Sequence, residues 1–152
     1  MFRQIGFAVA GLLCAAPAMA EGPGGGAQTL SASCTSSPIS GGGLVNECMG
    51  PNANPDVRFQ SMGPQFNYAV TFTAPATHCS RIGYHVYSYD LRTPLGASGL
   101  LGPGQSQTVS IGNGYAAGLQ IAKVKGFGWI SATGCNTGTL QSWGATATVV
   151  QQ

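Results

Sequence analysis

Charge is what this chain has least of: Asp, Glu, Lys and Arg make up 7% of its 152 residues, six basic against four acidic. A nucleic-acid ligand calls for a basic surface that neutralises several phosphates, so no nucleic-acid partner is expected. The same sparsity removes most candidate general acids and bases. Helix-compatible runs are equally scarce, because Gly and Pro interrupt every stretch long enough for three turns after the first twenty residues. Without crossover helices, a parallel α/β architecture is excluded. No segment in that remainder approaches the roughly 20 apolar residues that span a bilayer as a helix.

What is present first is an address. Arg3 supplies a positive start, Ile5 to Ala16 forms a short uncharged apolar run, and Ala18-Met19-Ala20 places small residues at a cleavage site. Residues 1–20 therefore read as a signal peptide cut before Glu21, giving an exported protein, periplasmic or extracellular. The following stretch, 21–27, contains Gly22-Pro23-Gly24-Gly25-Gly26 and reads as a flexible arm. Residues 28–152 are long enough for one β domain with a single core.

Of five cysteines, Cys14 lies in the leader, where the preceding Leu13 argues against lipoprotein processing. Cys34, Cys48, Cys79 and Cys135 remain, an even set in an oxidising compartment, which favours two disulfides over metal ligation. Spacing does not choose among the three pairings. The expected one joins Cys34 to Cys48 across a Gly-rich turn and Cys79 to Cys135 between two long strands.

Period-two alternation dominates the rest. Phe66, Tyr68, Val70 and Phe72 alternate with Asn67, Ala69, Thr71 and Thr73, predicting a strand with its aromatic side on a core. Leu30, Ala32 and Cys34 form a second such set, Ile82, Tyr84 and Val86 a third, and Val109 and Ile111 a fourth. Leu119 to Trp129 alternates less cleanly near Lys123, which suggests a bulge or a strand buried on both faces. Trp143 to Val150 reads as a last strand. Seven or eight short strands predict an all-β, disulfide-stapled antiparallel sandwich of Ig-like or similar Greek-key type, with a small barrel as the alternative.

Candidate chemistry is thin. His78, His85 and Asp90 would suit zinc or copper, but their spacing matches no ligand motif, and no metal or other cofactor is expected. Gly96-Ala97-Ser98-Gly99 lacks the residue between serine and glycine that a nucleophile elbow requires. Glu47, Asp56 and Asp90 are the carboxylates a glycosidase would have to pair, and nothing local prepares them for it. Gly112-Asn113-Gly114 and Gly126-Phe127-Gly128 precede no helix and read as turn and bulge instead of phosphate loops. No catalytic residue is assigned.

The aromatic residues are the one binding feature. Tyr87 and Tyr89 share a strand face, Phe127 and Trp129 share another, and Trp143 opens the last strand. Such rings can contact sugars or proteins without calling for charge, although core packing is their commoner fate. Lys123 and Lys125 project to one side of their strand and read as edge or surface charges that discourage aggregation. In export signal, size, low charge and Gly/Thr/Asn richness the chain resembles secreted surface subunits such as bacterial fimbrial proteins, in composition and not in any motif. The expectation is a non-enzymatic exported protein, a structural or binding component touching a protein or glycan at the cell surface. A carbohydrate-binding module using Tyr87, Tyr89 and Trp129 is one rival. A small secreted hydrolase or metal-binding protein around His85 and Asp90 is the other.

Overall fold

Alternating apolar side chains that face each other across two layers build the molecule. The computed structural model describes residues 25–35, 44–130 and 140–152, so the expected leader, most of the expected arm and Cys135 lie outside the described residues. Ten strands are present there: β1 (Gln28–Thr35), β2 (Leu44–Glu47), β3 (Met49–Asn52), β4 (Asp56–Ser61), β5 (Tyr68–Thr73), β6 (Ile82–Ser88), β7 (Pro94–Ala97), β8 (Ser106–Gly112), β9 (Gly118–Ile130) and β10 (Ser142–Gln151). This exceeds the seven or eight expected, because β2, β3 and β7 are four-residue pieces too short to show an alternation.

One antiparallel sheet, here called B, has the order β3-β1-β10-β5-β8. The other, sheet A, is built on β9, with β6 and then β7 on one side. Along the opposite edge of β9, β2 pairs with Phe127 to Ile130 and β4 with Gly118 to Lys123. The sheets are separate and stack as a sandwich, which disposes of the barrel.

The inward side chains are those the alternation singled out. Tyr68, Val70 and Phe72 of β5 and Ile82, Tyr84 and Val86 of β6 are fully buried. Phe66 precedes β5 and packs against the core from its margin. Across the layers Phe72 stacks on Tyr84 at 4.8 Å between ring centroids, and Tyr84 meets Trp143 at 5.6 Å. The hydroxyls of the two buried tyrosines are satisfied, that of Tyr84 donating to the Gly144 carbonyl at 2.8 Å and that of Tyr68 accepting from the Met62 amide at 2.7 Å, whereas the buried Trp143 Nε1 has no hydrogen-bond partner among the described residues. Burial pushes the Tyr84 phenol well above its ordinary pKa.

Two expectations about β9 need correction. Both of its ladders, to β4 and to β6, run in unbroken register, so there is no bulge near Lys123. Gly126-Phe127-Gly128 likewise sits inside the strand and is no turn or bulge. A Cβ at Gly126 would stand 2.6 Å from the Trp143 ring, and one at Gly128 would stand 3.1 Å from Leu140. The glycines are there to admit those side chains from the core side. Gly112 and Gly114 do lie in a turn, with φ of 77° and 88°.

Cys34 is bonded to Cys48 as expected. Cys48 falls between β2 of sheet A and β3 of sheet B, so the bridge fastens β1 at the point where the chain crosses between layers. Cys79 is also disulfide-bonded, and its expected partner Cys135 lies outside the described residues.

Candidate functional site

Antiparallel pairing sets directly opposed residues on the same side of a sheet. On the outer side of sheet A the register places Phe127 opposite Gly83, Lys125 opposite His85, and Lys123 opposite Tyr87. The two aromatic pairs that belong to separate strands in the sequence therefore share one face. Tyr89, just past the end of β6, is 64% exposed, and Trp129, near the end of β9, is 40% exposed. Tyr87 is half-buried between them. Trp143, by contrast, lies in the core.

Phe127 is buried on this outer face, which explains the weak alternation of β9. It covers Gly83, where any side chain would collide with the ring, and it packs against the His85 imidazole with 4.3 Å between centroids. From the far side of β9, Glu47 reaches His85, its Oε1 lying 3.1 Å from Nδ1. Neither partner is deeply buried, with side chains 30% and 41% exposed.

The lysines lean along the face toward the rings. Lys123 Nζ lies 5.3 Å from the Tyr89 centroid, and Lys125 Nζ lies 4.8 Å from that of Tyr87. Asp56 of β4 meets Lys123 at 2.6 Å and Arg58 at 3.3 Å. The Lys123 hydrogen bond is the largest influence and, with a lesser one from Arg58, holds the Asp56 carboxyl below its ordinary pKa against the opposing effect of burial. Lys125 has no carboxylate within ion-pair distance among the described residues. Since β9 is flanked on both sides, the lysines do not guard an edge: they belong to a cation and tyrosine ladder at the middle of the sheet.

The catalytic alternatives are not assembled. Asp90 accepts from the Ser88 hydroxyl at 2.5 Å and the Arg92 amide at 3.1 Å, tying the turn after β6, and these bonds lower its pKa. His78 Nδ1 is 2.8 Å from the Ser80 carbonyl. The carboxylate beside His85 is thus Glu47 and not Asp90. No cluster of three or more His, Cys, Asp or Glu side chains suited to a metal occurs among the described residues. Ser98 is buried and occupied, accepting from the Tyr84 amide and donating to the Gly99 carbonyl, both at 2.8 Å.

Sequence reasoning named Tyr87, Tyr89 and Trp129 but left Glu47 out of the face, because only the strand register brings β2 beside β9. The visible signal was the alternation of His85, Tyr87 and Tyr89, all of one parity.

Fold and face together define an antiparallel β-sandwich with an aromatic and cationic outer surface on one sheet. No family model matches the chain, and no curated protein does. Among solved structures it is similar to a chain of infectious bursal disease virus, Gx strain, with 10% identity over 84% of this chain and 33% of that one, at a TM-score of 0.29. A Gt-strain chain gives 12% identity, 95% and 36% coverage, and a TM-score of 0.29. The chain spans about a third of the length of those viral chains. Likeness at that TM-score carries no argument about function.

Proposed function

We propose that this is an exported, non-enzymatic protein, a structural or binding component that works by surface contact at the cell envelope or outside the cell. The outer face of sheet A is its contact surface. The observation that carries this is the convergence of Tyr87, Tyr89 and Trp129 on one face, with two of the three rings substantially exposed. The large rings of the inner layer, Tyr68, Phe72 and Tyr84, are fully buried. Packing has no use for a second set pointed outward, whereas interfaces concentrate Tyr and Trp. The leader read from residues 1–20 and the Cys34–Cys48 bridge support an oxidising, exported setting.

The test uses the processed protein beginning at Glu21, incubated with isolated envelope and secreted polymer from the producing cells. Retention should fall by about tenfold or more in Tyr87→Ala/Tyr89→Ala/Trp129→Ala, because interface hot spots cost at least about 2 kcal/mol each. The melting temperature should change little. Undiminished retention by the triple variant would remove this face from the account.

A further inference from the structure

Beside Tyr87 the outer face of sheet A is hollowed. An open groove of about 340 Å³ runs between β6 and β7, lined by His85, Tyr87, Pro94, Leu95, Gly96 and Ala97. The volume lies at the lower end of the range for small-ligand sites and suits one sugar ring. We propose that this groove binds a hexuronic acid residue of an acidic polysaccharide. The inference rests on the reading of this face as the contact surface and names the chemistry it recognises.

Three features argue for that ligand. Tyr87 and Pro94 offer a surface for the C–H face of a pyranose, as aromatic and aliphatic walls do in concave sites, with Leu95 packed against the core beneath them. His85 is oriented: Phe127 packs against its ring, and Glu47 accepts the Nδ1 hydrogen, which leaves Nε2 to meet a sugar hydroxyl. Lys125 stands over the ring of Tyr87, which lines the groove, 4.8 Å from its centroid, and forms no ion pair among the described residues. Asp56 is engaged by Lys123 and Arg58, and Glu47 by His85. A ligand carboxylate would complete this arrangement, whereas a neutral sugar leaves Lys125 unmatched. One unmatched cation suits a monoanionic carboxylate better than a dianionic phosphate.

The experiment titrates isotope-labelled protein, beginning at Glu21, with trimers of galacturonate, mannuronate and glucuronate and with the carboxyl-reduced form of each, followed by NMR. At least one acidic trimer should shift the His85 imidazole and Tyr87 ring signals saturably, and its carboxyl-reduced counterpart should bind about tenfold more weakly or worse. Lys125→Gln should erase that preference, and Tyr87→Ala should abolish both interactions. Equal affinity for acidic and reduced trimers would overturn the proposal, as would a preference that survives Lys125→Gln or the absence of shifts at His85 and Tyr87 with all three acids. The Tyr87→Ala/Tyr89→Ala/Trp129→Ala variant separates the two readings. If it loses retention while no uronate binds the parent protein, the contact face stands and the uronate class falls.

Discussion

Phe127 shows how much of the outer face hangs on single side chains. It is a large apolar residue on the solvent side of a strand, and it is covered only because Gly83 opposite it has no side chain. Gly83→Ala should therefore cost about 1 to 3 kcal/mol through forced overpacking, measured by urea unfolding, although alanine is intrinsically no worse than glycine in a strand. Asp56 supplies a pH signature. Its carboxyl titrates below the ordinary 3.8 in the folded protein, so its contribution is present above that pH and disappears as the pH falls through the folded value. The melting temperature of Asp56→Asn should consequently depend less on pH below about 4 than that of the parent. Equal slopes would mean that the contact with Lys123 contributes nothing. These are facts of partnership, and they mark the limit of what the linear sequence exposes. Inward residues such as Val70 or Tyr84 are legible because period two is local. The pairing of His85 with Glu47 is not, because it depends on which strands β9 recruits to each edge.

The strands themselves are defined by what faces each sheet surface and by how the edges are closed. In β5 the inward Phe72 is fully buried, while Thr71 faces out and shares a hydrogen bond of 2.8 Å with Thr108. Phe72→Ala should destabilise by about 3 to 5 kcal/mol, and Thr71→Ala by about 0.5 kcal/mol or less. Comparable losses would contradict the register. The edges use different devices. The Gln28 carboxamide binds β4 as a short strand would, accepting from the Arg58 amide at 2.9 Å and donating to the Arg58 carbonyl at 2.7 Å. Edge strand β3 contains Pro51, and β7 begins at Pro94 and bulges against β6. Gln28→Ala should cost about 1 to 2 kcal/mol in unfolding experiments by removing both hydrogen bonds. The long alternations of β5, β6 and β10 were readable in advance. The four-residue strands were not, since a piece of that length carries no periodicity.

Considered together, the two outer faces differ in kind. On sheet B, Thr29, Thr146, Thr73 and Ser106 form a row across four strands, and the described outward residues of these strands carry no charge. Every described charged side chain belongs to sheet A or to the turn between β6 and β7, except Arg81, which immediately precedes β6. Between the layers the Cys34–Cys48 bridge closes a short loop, and Cys34→Ser/Cys48→Ser should lower stability by about 3 kcal/mol on the chain-entropy account. That loss should leave retention unchanged under conditions where the variant is folded. The most direct test of the division between faces is hydroxyl-radical footprinting of the protein beginning at Glu21, bound to envelope or secreted polymer from its own cells. Binding should protect Tyr87, Tyr89 and Trp129 while leaving the outward threonines of sheet B as reactive as in the free protein. Protection of Thr29, Thr146 and Thr73 with unchanged reactivity of the three rings would show that the molecule makes contact through the opposite sheet.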